Sequence, residues 1–179
     1  MENKSENGII TGLNVIIPLK LFRKTDKVTF DIIPEVVKGL SSVDRVVHGK
    51  GAISPTIEHK SDDEIHWYMH PNQSDNLLVV QGKRMIELYN EKHGKVEHFE
   101  VTPDYIKLNG AIVYEGAAIL GWPTHVFHRV ISPDGSTSIN FAKHFEGFDP
   151  QTNFNIWDLN VETGSHECAR EGHMDENFL

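Results

Sequence analysis

From Ile53 to Phe145 the chain is cut into short runs rich in Val, Ile, Tyr and Phe, separated by turn residues at intervals of roughly ten. No helix-length apolar period of 3.6 occurs there, so the stretch reads as strands. They are expected near Thr56–His59, Ile65–His70, Asn76–Gln81, Arg84–Tyr89, Val96–Val101, Tyr105–Leu108, Ile112–Tyr114, Ala118–Leu120, His125–Ile131 and Ser138–His144. Gln81-Gly82-Lys83 reads as a tight hairpin with glycine supplying a positive φ, and Asn109-Gly110 and Pro133-Asp134-Gly135 make two further turns. The expected fold class is all-β, a sandwich or barrel.

Around this region the sequence shows neither a repeat nor a Pro/Gly/Ser linker that would split it into two cores. Residues 1–50 read as an N-terminal arm in which Asp31 caps a short helix through Ile32, Val36, Val37 and Leu40, with Pro34 tolerated in its first turn. Residues 51–148 form the β unit. Residues 149–179 read as an irregular C-terminal extension docked through Trp157, Leu159 and Val161, with a charged tail from His166 onward that is loosely held or used at a subunit contact. At 179 residues and 39% hydrophobic content, a chain like this buries a sizeable core without a disulfide or structural metal. Any metal would therefore be functional first.

The formal charge of −9 and the lack of a basic stripe argue against nucleic acid as a partner. A single cysteine, Cys168, cannot close an internal disulfide, which fits a reducing compartment. The apolar stretch from Gly8 to Leu19 is interrupted by Thr11, Asn14 and Pro18, too early for a membrane helix. Glu2 and Glu6 before it, and Lys20, Arg23 and Lys24 after it, are the wrong flanks for a signal peptide. No membrane contact and a cytoplasmic location are expected.

Eleven histidines invite random pairings, so only spacing with a mechanism counts. Alternate strand residues share a face about 6.6 Å apart, which puts His66, Tyr68 and His70 on one side and Trp67 and Met69 on the other. His66 and His70 lie about 13 Å apart along a regular strand, too far to share one ion. Tyr68 and His70 are the better-placed pair. Asn72-Gln73-Ser74 beside His70 reads as a plain turn, and ordinary cross-strand packing is expected of Asn140 and His144. His166, Cys168 and His173 lack a fourth ligand at zinc spacing and are rejected as a metal site.

Two ordered motifs resemble those of the cupin superfamily of jelly-roll barrels, over about Tyr68 to Ser132. The first cupin motif is similar to His-x-His, three or four residues, Glu, six residues, Gly; the chain has Tyr68-x-His70, four residues, Asp75, six residues, Gly82. The second is similar to Gly, five residues, Pro-x-Gly, two residues, His, three residues, Asn. Here it runs Gly116, six residues, Pro123-Thr124-His125, two residues, His128, three residues, Ser132. The resemblance implies a double-stranded β-helix barrel. It also implies that His70, Asp75 and His128 occupy three of the four metal-binding positions, with Tyr68 on the fourth.

Two neutral imidazoles and a carboxylate form a facial set that suits a divalent ion and leaves positions open. The resemblance thus implies a divalent metal ion, Fe, Mn, Ni or Zn, and a metal-dependent dioxygenase or isomerase acting on a small polar molecule. Tyr68 and His125 are its candidate proton-handling catalytic residues, and His66 is expected near the rim as a structurally satisfied histidine. Two alternatives stay open: a non-enzymatic binding or sensing module, and a metal-free nucleotide-sugar epimerase-like enzyme with a histidine base and Tyr68 as acid. The last needs a cationic handle for a diphosphate, for which the β region offers only scattered Lys83, Arg84, Lys107 and Arg129. An exposed greasy face carrying Trp67 and Met69 points to a homodimer.

Overall fold

The structure is a computed structural model and describes residues 7–34, 37, 39–57 and 65–174. Within them the chain runs through β1 (Val15–Pro18), β2 (Lys20–Lys24), β3 (Thr29–Ile32), β4 (Ser42–His48), β5 (Ala52–Ser54), β6 (His66–Met69) and β7 (Gln73–Gly82). Next come β8 (Arg84–Tyr89), β9 (Glu97–Val101), β10 (Tyr105–Leu108), β11 (Ala111–Glu115), β12 (Ala118–Trp122), β13 (Phe127–Ser132) and β14 (Ser136–His144). A helical turn α1 (Pro150–Asn153), strands β15 (Ile156–Leu159) and β16 (His166–Arg170) and a 3₁₀ turn at Gly172–Met174 complete it.

All strand pairs are antiparallel, and they build two large sheets that face each other in a jelly-roll-like arrangement without closing into one hydrogen-bonded barrel. The first sheet has the order β1-β12-β7-β14-β4. The second runs β11-β10-β9-β8-β13-β6-β15-β16, with β5 also paired to β13. Their inner faces follow the period of two expected of half-buried strands. Along β7, Gln73, Asp75, Leu77 and Val79 are buried while Ser74, Asn76 and Leu78 are only partly so. The main core joins Leu77, Ile86, Leu88, Phe99, Ile106 and Leu120, among others, each worth about 1.5–3 kcal/mol of burial.

Several sequence expectations are corrected. Gln81-Gly82-Lys83 is not a hairpin, because β7 and β8 belong to different sheets and Gly82, at φ +76°, carries the chain across. Only glycine fits, since a Cβ there would run into the carbonyl oxygen of Gly135. Asn109-Gly110 does close a hairpin, with Leu108 opposite Ala111 and both turn residues at positive φ. The expected N-terminal helix is absent among the described residues. Asp31 and Ile32 lie in β3, and Val36 falls outside those residues. Val28, Thr29 and Phe30 favour a strand, and Pro34 pushes Ile33 away from helical geometry. For the strand expected at Thr56–His59, β5 forms earlier instead, and Glu58 and His59 lie outside the described residues.

The C-terminal extension is also more regular than expected. Strand β15 completes the open edge of β6, pairing Trp157 with Trp67 and Asp158 with His66, and β16 follows it. This covers the face expected to dimerise: Trp67 is 2% exposed and packs, with Met69, Tyr89 and Phe127, against Trp157 and Leu159. The apolar surface lies elsewhere, on the hairpin β2–β3, where Phe22 is 63% exposed and its ring meets Phe30 at 5.1 Å. Strands β1 and β4, from the first fifty residues, belong to the first sheet.

Candidate functional site

The two sheets bring together three side chains that the sequence keeps 58 positions apart at most, since 128 minus 70 is 58. His70 follows the last residue of β6, and His128 on β13 sits opposite Tyr68 of β6 in the same sheet. Asp75 comes from β7 in the facing sheet. One ligand atom from each of His70, Asp75 and His128 lies within 4.8 Å of the others, and all three residues are buried. His70 Nε2 stands 3.7 Å from Asp75 Oδ2.

The chain fixes the orientation of each group. His70 Nδ1–H donates to the carbonyl of Asn153 at 2.5 Å, and His128 Nδ1–H donates to the carbonyl of Val126 at 3.2 Å. A carbonyl only accepts, so Nδ1 carries a hydrogen in both rings, and Nε2 is the nitrogen through which either ring, when neutral, offers a lone pair. Asp75 Oδ1 accepts from Gln73 Nε2 at 2.7 Å and from Asn140 Nδ2 at 2.8 Å. Its other oxygen, Oδ2, is buried and accepts from nothing among the described residues.

Burial opposes the charge on Asp75, yet His70, His128 and the two amide donors outweigh it and hold the carboxyl below its ordinary range. Burial above all, with His70 close by, pushes His128 down to about 4, so the His128 ring is neutral near pH 7. Two lone-pair nitrogens and one unsatisfied carboxylate oxygen, each braced from behind by a hydrogen bond, are what a divalent cation needs from its ligands. The residues therefore fit such an ion.

These groups open on a cavity of about 430 Å³ between the sheets, with Leu77, Trp122 and Val130 on its walls. Tyr68 lines it as well, its ring 5.8 Å from that of His70 and 5.9 Å from that of His128. Asn140 and His144, expected only to pack, line it too, because alternate residues of β14 face the interior. Gln73, expected in a plain turn, begins β7 instead and braces Asp75.

His125 does not join the cavity. It follows Pro123 at φ +62°, is exposed, and lines a separate depression with Asn90, Thr124 and Phe127. Its three-residue offset from His128 puts it outside. His66 is buried and pairs through Nδ1 with Asp158 Oδ1 at 2.7 Å, and it does not line the cavity between the sheets. Asn153 escaped the sequence reading although it orients His70. The signal was there, for Asp149-Pro150 is a helix cap followed by proline at the first helical position, which ends at Asn153.

No protein family and no curated protein matched the sequence. Solved structures did. NovW, titled a 4-keto-6-deoxy sugar epimerase from the novobiocin biosynthetic gene cluster of Streptomyces spheroides, aligns with a TM-score of 0.55 at 13% identity, over 84% of this chain and 70% of that one. The dTDP-4-dehydrorhamnose 3,5-epimerase from Sulfolobus tokodaii aligns with a TM-score of 0.54 at 16% identity, over 82% and 77%. The likeness is one of fold. The chain also spans only 33% of the capsular polysaccharide assembling protein CapF from Staphylococcus aureus, with a TM-score of 0.42. The sugar epimerases share a jelly-roll-like β fold with this chain, consistent with the cupin resemblance of its motifs. Among the described residues no helix is long and apolar enough to cross a membrane.

Proposed function

We propose that the chain is an isomerase or epimerase of a small polar carbonyl compound, acting in the cavity between the sheets with a divalent cation held by His70, Asp75 and His128. The carrying observation is Asp75 Oδ2, a buried carboxylate oxygen with no donor among the described residues, 3.7 Å from His70 Nε2 and grouped with His128 so that one ligand atom from each residue lies within 4.8 Å of the others. A buried anion left in that state is costly unless a cation meets it. When bound, such an ion polarises a carbonyl or hydroxyl oxygen and makes the neighbouring C–H more acidic. The chain's own part is to position and to move protons. Tyr68 offers a phenol as proton donor beside the substrate, and Trp122, Leu77 and Val130 keep water from its carbon skeleton. Proton handling by Tyr68 and the fold shared with proteins titled as sugar epimerases favour isomerisation over oxygen insertion.

A second reading uses the same residues without an ion: His70, backed by Asp75 at 3.7 Å, serves as base and Tyr68 as acid. Calorimetric titration with Mn²⁺, Fe²⁺, Ni²⁺ and Zn²⁺ decides between them. One ion bound per chain, lost in His128→Ala, is expected, and no binding of any of the four removes the metal reading. Solvent deuterium entering the α-carbon of keto sugars or keto acids, followed by NMR, tests isomerisation itself. Exchange that survives chelation supports the second reading. The homodimer also stands as a proposal, now through the exposed β2–β3 hairpin, and a monomer mass in solution would remove it.

A further inference from the structure

The four cations scattered through the β sequence end in different places. Lys83 and Lys107 lie 4.0 and 2.9 Å from Glu100, and Arg129 lies 3.2 Å from Glu87, all three met by carboxylates. Arg84 alone lines the cavity, and it is 2% exposed. Its Nε donates to Ser136 Oγ at 2.9 Å and its Nη2 to the carbonyl of Val46 at 3.1 Å. A guanidinium carries five N–H donors, so three are left over. No carboxylate among the described residues lies within 4.0 Å of it. Asp44, the nearest acid by position on the cavity wall, is engaged by Ser42 Oγ at 2.9 Å and Asn140 Nδ2 at 3.3 Å.

The surroundings hold Arg84 in place and add no second cation. Ser136 Oγ is 2.8 Å from Ser132 Oγ, which is 3.0 Å from His48 Nδ1. Burial and the Arg84 charge push His48 down to about 4, so it stays neutral at ordinary pH. Along β13 His128, Val130 and Ser132 share the inward face, and the first two line the cavity. Four residues separate the triad from the serine that leads to Arg84, about 13 Å of backbone. The cavity lining therefore carries Asp75 with two imidazoles, apolar walls, Asp44 held by Ser42 and Asn140, and one guanidinium, Arg84, that no carboxylate among the described residues meets within 4.0 Å.

We propose that the cavity takes a small monoanionic substrate, an organic acid whose carboxylate is received by Arg84 while its carbonyl or hydroxyl end reaches His70, Asp75 and His128. This rests on reading the cavity as the substrate site. Arginine matches a carboxylate with a two-pronged set of donors, and burial makes that contact strong. With no lysine or second arginine on the lining, the site is matched to one negative charge and not to the diphosphate of a nucleotide sugar.

The test compares acids with their uncharged amides: pyruvate with pyruvamide, and D-glucuronate with D-glucuronamide, alongside dTDP-glucose. Each is read by thermal melting and calorimetry, with Mn²⁺ binding measured separately. An acid bound at ten times its Kd is expected to raise the melting temperature of the wild type by about 3–5 °C, with its amide giving little or no shift. In Arg84→Gln that difference is lost while Mn²⁺ still binds, and Arg84→Lys recovers part of it. The acid–amide contrast is read in the wild type, so a misfolded Arg84→Gln leaves the proposal testable. Equal shifts by acid and amide, no shift by either acid, or preferential binding of dTDP-glucose would overturn it. So would an Arg84→Gln that melts lower yet still prefers the acids. Loss of Mn²⁺ binding in the wild type would sink the metal reading and leave the acid–amide contrast standing.

Discussion

Strand β6 and the residue after it carry two histidines that each meet a carboxylate, and the two pairs are built for different ends. His66 touches Asp158 directly at 2.7 Å through Nδ1, and that carboxylate is 40% exposed, so water shares the charge. His70 stands off at 3.7 Å from a carboxylate that is 3% exposed, with its Nδ1 already committed to Asn153. The close pair is a direct hydrogen bond between its two members. The wide pair leaves an oxygen and a nitrogen lone pair for a third party, and His128 adds another. The wider spacing, unlike the direct bond, leaves room between its groups for a third party.

The largest expected effect that can break this contrast is on ion binding. Replacing His70 or His128 by Ala should lower Mn²⁺ affinity by more than about 100-fold, whereas His66→Ala should leave it within about twofold, as calorimetry would read. Equal losses in the two would erase the distinction. Gln73→Ala frees Asp75 Oδ1 from one of its donors and should cost about 10-fold in Mn²⁺ affinity, since that hydrogen bond only orients the ligand.

Smaller still is the pH response of stability. His48 is pushed down to about 4 in the folded chain, against an ordinary value of 6.5, so the unfolded chain binds its proton first. Stability is therefore lost as pH falls from about 6.5 to about 4, and no further below that. His48→Asn should flatten the curve of denaturant midpoint against pH in that window. Unchanged slopes would show that His48 titrates normally. At the bottom of the scale, Asp158→Asn should shift the melting temperature by no more than about 2–4 °C, because a hydrogen bond to a carboxylate that is 40% exposed contributes about 1 kcal/mol or less.

The strands were legible wherever side chains alternate, and β8 and β10 fall where the pattern put them. The triad was legible because motif spacing survives even where residue types change, as with Asp75. What escaped depends on partners remote in sequence. The pairing of β15 with β6 was invisible because Ile156-Trp157-Asp158-Leu159 is too short to announce itself, yet it buries Trp67 and supplies Asn153 to His70. The positive φ of Gly82 was legible but the hairpin read there does not form, because local residues do not say whether a bend returns to its own sheet or departs to another. Arg84 was counted among scattered cations since only tertiary structure separates it from Glu87 and Glu100, which neutralise the others.

The crossing at Gly82 has an evolutionary corollary. The anionic arm of the triad and the lone guanidinium belong to one continuous ribbon, Asp75 before the crossing and Arg84 two residues after it. Because neighbouring residues of a strand face opposite ways, one amino acid gained or lost just after Gly82 would turn the guanidinium outward and present Lys83 or Met85 in its stead, with Asp75 untouched. A lineage carrying this fold could therefore change the charge on one part of the cavity lining by a single short indel, with His70, Asp75 and His128 inherited intact.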